Sequence, residues 1–463
     1  MIPVTSRSSQ NLAVFGLGRS GRATAHALIA GGANVTAWDD NVGSRAVAAN
    51  ENIPLANLTD VTWSGFSALV LSPGIPLTHP TPHPVVVRAK NAGRPVIGDI
   101  ELLVENNSGG ALIGVTGTNG KSTTSALLHH VLQASGVAVQ IGGNFGPPVL
   151  GLTSPVAGDT VVLELSSYQL DLTESATFDI AALLNVTPDH LDRHGDIRGY
   201  VTAKKKIFRT SPGADRQIAV IGIDNDYGRA AMNELAGNMF WQVIPVSVEH
   251  PVAAGISVID GVLRDSHGNT CAIGHIDKLR GRHNGQNAAT VWAVARARGV
   301  TPAQISAAFE SYPGLPHRLE TIGEINGIRY VNDSKATNGE AAAQALSSFS
   351  NIYWIAGGIA KEDGLIPTER YLGHVRHAFL IGEAAEAFGT ALGGKLPITM
   401  SDDLATAVSD ASLCAAADDN NDGEKPVVLL SPACASFDQY PDFTLRGDHF
   451  RDLVIGLRSE GSI

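Results

Sequence analysis

A glycine-rich stretch, GVTGTNGKST at residues 114–123, contains the residue types that bind a nucleotide phosphate. Backbone N–H groups of a glycine turn can surround phosphate oxygens, the Lys121 ammonium supplies a positive charge, and the Ser122 hydroxyl can ligate Mg²⁺. The strict G-x-x-x-x-G-K-[ST] pattern is not met, because Val115 occupies its first glycine position. Since the stretch lies between a predicted strand and a predicted helix, it predicts a phosphate-binding turn for ATP rather than an ordinary glycine turn.

A second glycine turn, FGLGRSG at residues 15–21, matches the G-x-G-x-x-G pattern of dinucleotide-binding turns. Asp39 and Asp40 follow about 20 residues later, where NAD-binding enzymes place an acidic residue. The physical requirement is only a diphosphate at a helix N-terminus, so the pyrophosphate of a nucleotide sugar fits equally well. Arg19 would add positive charge to this turn. Because no hydride-transfer domain is evident along the chain, we favour a nucleotide sugar over NAD.

Acidic and imidazole side chains follow the next predicted strands. Glu164 interrupts an apolar run at residues 161–165, and a carboxylate is costly to bury unless it meets a cation. Its place one strand after the glycine turn predicts a Mg²⁺ ligand, with a helix cap or a structural salt bridge as the alternative. His190 and His194 lie four residues apart, a spacing that also describes a solvated surface. His190 lies nearer the strand end and is the better candidate for a magnesium or phosphate region.

The segment GYVTAKKKIFRT at residues 199–210 predicts a helix with a lysine on its apolar face. One stripe of that helix is formed by Tyr200, Val201, Lys204, Ile207 and Phe208. Lys205 and Lys206 point away from the stripe, as on a solvated face. Burial would lower the pKa of Lys204 and favour a neutral amine, which can react with CO₂ to form a carbamate able to bind Mg²⁺. From the pattern alone, simple snorkelling of the side chain is the favoured interpretation, and the carbamate is the alternative.

Polar residues in the last third of the chain also follow apolar runs. Lys335 and Lys361 come after two such runs, with Thr337 nearby, and Ser436 and Arg446 come after another. Such groups could bind a small acidic molecule, although each alone is compatible with routine turn chemistry. Their positions at strand ends favour a site, because ligands of open α/β sheets bind outside the carboxyl ends of the strands.

These candidate residues are positioned by apolar runs that alternate with helical patterns, which predicts an α/β fold. The late runs IRYVNDS, IYWIAGG, HAFLIGE and PVVLLSPA lack clean alternation, as in parallel strands buried on both faces. The breaker-rich stretch ENNSGG at residues 105–110 predicts a linker, and Pro313 and Pro316 interrupt a helix pattern. We therefore expect three domains on mainly parallel sheets: a Rossmann-like domain at 1–105, a P-loop-type ATPase domain at 106–312 and a Rossmann-like domain at 313–463.

The bulk properties of the 463-residue chain exclude several classes of protein. Its net charge of -12 argues against broad binding of nucleic acid or membrane surfaces. The three cysteines, Cys271, Cys414 and Cys434, match no C-x-x-C spacing and indicate reduced thiols. No run approaches the ~18 apolar residues of a spanning helix, and the N-terminus shows no secretion signal. We expect a cytoplasmic monomer without membrane insertion.

Taken together, the motifs resemble those of the Mur ligases, the ATP-dependent amide-forming enzymes of peptidoglycan synthesis. The stretch GTNGKST marks the wider superfamily, which includes folylpolyglutamate synthases. Six further stretches are more specific to the glutamate-adding branch: SPGIPLTHP, LELSSYQL, NVTPDHLDRH, GLPHRLE, NDSKATN and LLSPACASFDQY. The Asp-Asn-Pro-Arg motif of the diaminopimelate-adding relatives is absent from the sequence. The resemblance runs nearly from end to end.

The resemblance implies a ligase that adds D-glutamate to UDP-N-acetylmuramoyl-L-alanine through an acyl phosphate, in cytoplasmic peptidoglycan precursor synthesis. ATP and two Mg²⁺ ions are the implied cofactors, with CO₂ held as a carbamate on Lys204, which makes that modification the favoured interpretation. A ligase that adds L-glutamate or another amino acid is an alternative. A folylpolyglutamate-type ligase is another, but the N-terminal nucleotide-sugar turn argues against it. An NAD-linked oxidoreductase and a P-loop switch or motor are rival classes.

The resemblance also carries over site residues, position by position. It implies catalytic roles for Lys121, Glu164, His190 and Lys204, and metal ligation by Ser122, Glu164, His190 and Lys204. It assigns ATP binding to Gly117, Thr118, Asn119, Gly120, Lys121, Ser122, Thr123, Asn284, Asn287, Arg318 and Asp333, although Asn284 could also be a helix N-cap. It assigns the UDP substrate to Gly18, Arg19, Ser20, Asp39, Asp40, Gly74, Asn144 and His190, and D-glutamate to Thr337, Lys361, Ser436 and Phe443. One position departs from the family, because Asn41 stands where members often carry a basic residue, and Arg19 could compensate.

Overall fold

The computed structural model describes residues 1–210, 216–361, 364–417 and 424–460. Within these ranges the chain forms three main sheets and one two-stranded ribbon, with helices packed against the sheets. Most neighbouring strands of the main sheets run parallel. The predicted α/β class with mainly parallel sheets is confirmed.

The first sheet is parallel throughout and has the strand order β2-β1-β3-β4. Its strands are β1 (Asn11–Phe15), β2 (Asn34–Trp38), β3 (Ala68–Leu71) and β4 (Val96–Ile97). The helices of this part are α1 (Arg19–Ala30), α2 (Val42–Asn50), α3 (Pro84–Asn91) and α4 (Asp99–Glu105). The first glycine turn therefore connects β1 to α1, as the sequence predicts.

The second sheet has the strand order β13-β12-β11-β10-β9-β8-β5-β7-β6, and only its β11–β12 and β12–β13 pairs are antiparallel. Its strands are β5 (Ala111–Thr116), β6 (Val139–Gly143), β7 (Thr160–Glu164), β8 (Ile180–Leu183), β9 (Gln217–Gly222), β10 (Trp241–Ser247), β11 (Ile256–Ile259), β12 (Val262–Asp265) and β13 (Thr270–Ala272). The helices are α5 (Lys121–Ala134), α6 (Ser167–Asp171), α7 (Leu191–His194), α8 (Ile197–Lys205), α9 (Asp226–Ala236), α10 (Arg282–Ala297) and α11 (Pro302–Glu310). The second glycine turn connects β5 to α5.

The third sheet has the order β14-β15-β20-β16-β18-β19, and its β14–β15 pair is antiparallel. Its strands and those of the ribbon are β14 (Glu320–Ile325), β15 (Ile328–Asn332), β16 (Ile352–Gly357), β17 (Ile359–Ala360), β18 (Val375–Ile381), β19 (Ile398–Met400), β20 (Val427–Leu430) and β21 (Cys434–Ala435). The ribbon pairs β17 with β21. The helices are α12 (Gly339–Leu346), α13 (Ala385–Leu392), α14 (Leu404–Ala416) and α15 (Phe443–Glu460).

The central strands are buried on both faces, which explains why their sequences lack alternation. Every residue of β7, β16 and β20 is buried. Helices cover both sides of such parallel sheets, so apolar side chains are required on each face. Short 3-10 helices add to the connections at Thr5–Arg7, Trp63–Gly65, Val149–Gly151, Lys206–Phe208, Asp277–Leu279 and Ile366–His374. None of the helices described is both long and apolar enough to cross a membrane.

The chain divides into two compact units. The first comprises residues 1–272 and 286–311 and contains the first and second sheets. The second comprises residues 273–285 and 312–463 and contains the third sheet. The three predicted domains each have their own main sheet, while the predicted boundaries after residues 105 and 312 stay predictions.

A buried carboxylate joins α4 to the loop that follows α6. Glu101 is only 3% exposed, and its oxygens accept hydrogen bonds from the backbone N–H groups of Glu174 at 2.9 Å, Ser175 at 2.8 Å and Ala176 at 3.1 Å. The Ser175 hydroxyl also donates to this carboxylate. Because a charged acceptor serves several buried donors, this group stabilises the attachment of α4 to the middle part of the chain.

We expect Glu101→Ala to lower the free energy of unfolding by about 3 kcal/mol, because it leaves buried N–H groups without an acceptor. Glu105→Ala is the matched control on the same helix, since Glu105 pairs with Arg7 near the surface. Loss of that pair should cost less than about 1 kcal/mol. Urea unfolding followed by tryptophan fluorescence measures both values. Equal destabilisation by the two substitutions would contradict the role given to Glu101.

Candidate active site

The second glycine turn requires glycine at two positions for steric reasons. Gly117 has φ 159° and Gly120 has φ 87°. A Cβ atom at Gly117 would lie 3.0 Å from the Leu184 Cβ, and one at Gly120 would lie 2.4 Å from the Asn287 Oδ1. The backbone of this turn therefore lies directly against the neighbouring strand end and against α10.

An asparagine from the neighbouring strand end holds the turn in shape. The carbonyl oxygen of Asn185 accepts from the Thr118 N–H, and its side-chain oxygen accepts from the Asn119 N–H, both at 2.9 Å. The Asn185 Nδ2 in turn donates to the Gln286 Oε1 at 3.0 Å. The sequence analysis missed both Asn185 and Gln286. The position of Asn185 directly after β8 is the signal that could have indicated it.

Two lysine amines meet at one carbonyl oxygen of the turn. Lys121 Nζ donates to Gly117 O at 2.9 Å and to Thr118 O at 2.8 Å. Lys204 Nζ donates to the same Gly117 oxygen at 2.7 Å. The structure thus brings together the lysine at the start of α5 and the lysine near the end of α8, which are 83 positions apart in sequence.

Burial changes the chemistry of Lys204. Its residue is 1% exposed, and its Nζ lies 4.5 Å from the centre of the Tyr200 ring. Desolvation lowers the pKa of Lys204 well below its ordinary value, and the nearby Lys121 charge lowers it further, while Asp189 and Glu164 act in the opposite direction. The predicted apolar stripe is correct, since Tyr200, Ile207 and Phe208 are also buried. The amine is therefore poised to be neutral.

The two neighbouring lysines are less solvated than the sequence analysis predicted. Lys205 forms an ion pair with Glu234. Lys206 donates to the Asp171 carbonyl oxygen at 2.7 Å and to its carboxylate at 3.0 Å. Both lysines are half-buried, because α8 packs near other acidic side chains rather than facing water alone.

Glu164 ends β7 with one carboxylate oxygen engaged and the other unsatisfied. Oε1 accepts from Asn144 Nδ2 at 2.7 Å, whereas Oε2 is buried without a hydrogen-bond partner in the part of the chain that the structure describes. A buried, unpaired carboxylate oxygen is costly, which fits a position made for a cation. The predicted Mg²⁺ ligand Glu164 thus lies beside Asn144, which was predicted to contact the UDP substrate.

The two histidines occupy different environments. His190 has a left-handed backbone with φ 55°, its Nδ1 lies 3.0 Å from the Tyr168 hydroxyl, and its Nε2 lies 3.6 Å from the Asp189 Oδ2. His194 is buried, with its Nε2 3.0 Å from the Ser167 hydroxyl, and burial lowers its pKa to about 4. His190 is therefore the exposed member of the pair, and His194 is a core residue.

The donor set of the middle part fits magnesium better than a transition metal. Within the described ranges, no three His, Cys, Asp or Glu side chains are grouped as metal ligands. A metal here would use the Glu164 carboxylate, the buried Ser122 hydroxyl, substrate oxygens and any carboxylate made on Lys204, with His190 as the one predicted nitrogen ligand. Oxygen ligands of this kind are those that Mg²⁺ prefers.

The first glycine turn is held by one of the two predicted acidic residues, Asp39. Asp39 Oδ2 accepts from the Leu17 N–H at 2.6 Å, and Asp40 lies 3.0 Å from the His83 Nε2. Gly18 precedes α1, Ser20 lies in its first turn, and Gly74 is exposed in the loop after β3. Arg19 donates to the Gly146 carbonyl oxygen at 3.2 Å, which brings the turn near the loop of Asn144.

The position of Asn41 has a structural explanation. Asn41 caps α2 by accepting from the Ser44 N–H at 3.0 Å. A cation is supplied four residues later, because Arg45 donates to the carbonyl oxygens of Asp39 at 2.7 Å and Asp40 at 2.9 Å. The sequence analysis missed Arg45, which follows the expected basic position by one helical turn.

The predicted ATP-binding residues outside the glycine turn have defined local contacts. Asn284 is the third residue of α10 and donates to Arg280 O at 2.9 Å, so the alternative N-cap role is wrong. Asn287 accepts from the Thr124 hydroxyl at 3.0 Å. Asp333 accepts from Ser431 at 2.9 Å, and burial raises its pKa to about 7, with the Arg318 charge partly opposing that shift.

A buried arginine organises the loops that carry the predicted D-glutamate residues. Arg446 is 1% exposed and donates to the Ser334 hydroxyl at 3.0 Å, to Ser334 O at 2.9 Å and to Cys434 O at 3.0 Å. The Ser334 hydroxyl donates to Phe443 O at 2.8 Å, and Lys335 Nζ lies 3.9 Å from the Phe443 ring centre. These contacts join the loops after β15 and β20 to the start of α15.

The same sheet edge presents the other predicted glutamate residues. Thr337 lies in the loop after β15, whereas Lys361 and Ser436 directly follow β17 and β21, which pair in the ribbon just beyond the parallel neighbours β16 and β20. Ser436 is buried, whereas Lys361 is exposed. Because the carboxyl ends of parallel neighbours meet at one edge, these side chains emerge on the same side of the sheet.

Comparison with known proteins agrees with this arrangement. Residues 115–295 match the family described as the Mur ligase middle domain. The chain is 46% identical to a UDP-N-acetylmuramoylalanine–D-glutamate ligase of Caulobacter sp., over 99% of this chain and 98% of that protein. It is 47% identical to a protein of the same name from Paramagnetospirillum magneticum, over 100% of both chains. The crystal structure of UDP-N-acetylmuramate–alanine ligase from Thermotoga maritima shares the fold with a TM-score of 0.56 at 15% identity, over 98% of this chain and 100% of that chain.

We expect Gly120→Ala to weaken the binding of an ATP analogue by about tenfold or more, because the new Cβ would collide with Asn287 and displace the turn. Gly136→Ala is the matched control beyond the other end of α5, since Gly136 has φ 81° but no atom within 4 Å of its Cβ position. Both substitutions incur about 1 kcal/mol of backbone strain, but only Gly120 lies in the turn and has an atom of another residue in the way of a Cβ. Isothermal titration calorimetry measures the two affinities. Equal affinities would contradict the steric argument.

Proposed function

The chain belongs to the Mur ligase family, and we propose that it joins the amine of D-glutamate to the carboxylate of UDP-N-acetylmuramoyl-L-alanine in an ATP-dependent reaction. The observation that carries this proposal is the full-length likeness to D-glutamate ligases, together with the convergence of Lys121 and Lys204 on the phosphate-binding turn. The product is a precursor of peptidoglycan. A cytoplasmic location and a monomeric state remain predictions from the sequence.

The reaction needs activation because a carboxylate is a poor acyl donor in water. Transfer of the ATP γ-phosphoryl group to a carboxylate oxygen gives an acyl phosphate and ADP. The D-glutamate amine then attacks the acyl carbon, the C–N bond forms, the C–O bond to phosphate breaks, and the nitrogen loses one proton to the surroundings and keeps the other as the amide N–H. Phosphate is the leaving group, so the ATP free energy drives amide formation.

The residues of the chain supply charge and position for this chemistry. Lys121 places an ammonium group over the turn at the N-terminus of α5, where backbone N–H groups also favour phosphate. When bound, Mg²⁺ would be held by Ser122, Glu164, His190 and a modified Lys204, and it would neutralise phosphoryl charge. Two such ions are part of the proposal, and the unsatisfied Glu164 oxygen supports at least one.

The first glycine turn is proposed to hold the UDP pyrophosphate. Its backbone at the N-terminus of α1 and the Arg19 side chain supply the donors. Asn144 links this substrate to the metal region, because the same amide that is assigned to the muramyl group holds Glu164. Thr337, Lys361, Ser436 and Phe443 are proposed to bind D-glutamate, and the contacts of Arg446 support the arrangement of their loops.

Lys204 is proposed to act as a carbamate rather than as an amine. Reaction of its neutral amine with CO₂ forms an N–C bond and releases one proton, which places a carboxylate beside the Lys121 ammonium. The lowered pKa of Lys204 supports this step, because only the unprotonated amine is a nucleophile. A negative charge at this position would also be attracted to the Lys121 ammonium.

The defining measurement is phosphate release from ATP and Mg²⁺ with UDP-N-acetylmuramoyl-L-alanine, in parallel reactions with D-glutamate, L-glutamate, glycine or no amino acid. We expect release with D-glutamate alone, matched by a product that is heavier by one glutamyl residue in mass spectrometry. Phosphate release with L-glutamate alone would show that the proposed D-glutamate pocket binds L-glutamate instead. Equal release without any amino acid would indicate an ATPase and contradict the ligase proposal.

The carbamate is tested by ¹³C NMR after equilibration of the enzyme with ¹³C-bicarbonate. We expect a carbamate signal in the unmodified enzyme and in Lys205→Ala, and no such signal in Lys204→Ala. Protonation of the amine competes with CO₂, so the signal should decrease as the pH falls through the lowered pKa of Lys204. A signal that survives in Lys204→Ala would place the modification elsewhere.

A further inference from the structure

A tyrosine next to the predicted metal region contacts the exposed histidine in a way that the proposed reaction does not explain. Tyr168 lies in α6, four residues after Glu164. Its hydroxyl is 3.0 Å from His190 Nδ1, and the two ring centres are 5.0 Å apart. One residue of α6 thereby contacts the histidine that follows β8.

The position of Tyr168 is fixed by its own surroundings. A capping box begins α6, in which the Ser166 hydroxyl accepts from the Gln169 N–H and Gln169 Oε1 accepts from the Ser166 N–H, both at 3.1 Å. The Tyr168 ring packs against the Arg193 guanidinium at 5.2 Å and the His194 ring at 5.6 Å. The Tyr168 side chain is therefore held in place by its neighbours, whereas His190 is exposed and has a left-handed backbone conformation.

We propose that Tyr168 is a positioning residue, whose hydroxyl fixes the ring orientation of His190 so that Nδ1 faces Tyr168 and Nε2 is directed to the catalytic region. This inference rests on the proposed function for the role of His190. The contact between the Tyr168 hydroxyl and His190 is independent of that function. A histidine that serves at a metal or phosphate site is commonly oriented by a hydrogen bond to its other ring nitrogen. Tyr168 supplies that bond here.

The charges around the ring determine the direction of the hydrogen bond. The Asp189 carboxylate lies 3.6 Å from Nε2, which favours a proton on Nε2. The Tyr168 hydroxyl then donates to Nδ1 across the 3.0 Å contact. A phenol can also accept, so the same contact persists when Nδ1 carries the proton. The ability to donate or accept this hydrogen bond distinguishes tyrosine from a carboxylate or carbonyl partner, which can only accept it.

The experiment is ¹⁵N NMR of the histidine rings in the metal-free enzyme at about pH 8, above the ordinary histidine pKa of about 6.5. His190→Gln assigns the resonances. In the unsubstituted enzyme we expect widely separated His190 ring shifts, with Nδ1 as the unprotonated nitrogen. Tyr168→Phe keeps the packed ring and removes the hydroxyl, so the two His190 shifts should move toward each other as tautomers and ring orientations mix.

Ser167→Ala is the matched control, because the Ser167 hydroxyl forms its hydrogen bond with His194 Nε2, at 3.0 Å. It should move the His194 resonances and leave those of His190 in place.

The Mg²⁺ concentration for half-maximal phosphate release should also rise by about tenfold in Tyr168→Phe, with an unchanged KM for D-glutamate.

Two results would overturn the proposal. Either averaged His190 shifts in the unsubstituted enzyme or unchanged His190 shifts in Tyr168→Phe would show that the hydroxyl does not fix the ring. Both readings are made without substrate. Failure of the D-glutamate assay would therefore contradict the proposed function while leaving the positioning role separately tested.

Discussion

The carbonyl oxygen of Gly117 accepts hydrogen bonds from both Lys121 and Lys204, and the rest of the middle site is arranged around this contact. The end of β5 and the helices α5 and α8 bring the amines of Lys121 and Lys204 to the Gly117 carbonyl oxygen. Mutual repulsion and desolvation then favour the neutral form of the more deeply buried amine, Lys204. The turn that is proposed to bind phosphate and the lysine that is proposed to carry CO₂ are therefore parts of one electrostatic unit.

Polar side chains at the ends of the two strands that flank β5 complete this edge of the second sheet. Strand β7 ends with Glu164 and strand β8 is followed by Asn185, and these strands flank β5. Asn185 stabilises the turn, while Glu164 keeps one oxygen engaged by Asn144 and one oxygen unsatisfied. A fully satisfied edge would be more stable, so the unsatisfied oxygen indicates a place where a ligand completes the structure.

The second compact unit uses a buried cation for a different purpose. Arg446 donates to backbone carbonyl oxygens and to a serine hydroxyl, and burial lowers its pKa to about 10. A charge that is this buried requires several hydrogen bonds, and here these bonds connect loops from neighbouring strands to the start of α15. The loops that carry the predicted glutamate residues are thus ordered by an interaction that lies beneath them.

The sequence by itself determined the α/β class, the two glycine turns and the apolar stripe that carries Lys204, because periodicity and turn chemistry are local properties. It also indicated Glu164 and His190 as candidates. The tertiary structure alone decided that Lys121 and Lys204 share one oxygen, that Asn144 holds Glu164, that Arg45 contacts the carbonyl oxygens of Asp39 and Asp40, and that Tyr168 contacts His190. Each of these pairs joins elements that are distant in sequence or separated by a helical turn, and sequence spacing carries no record of which side chains meet when strands of one sheet are placed side by side.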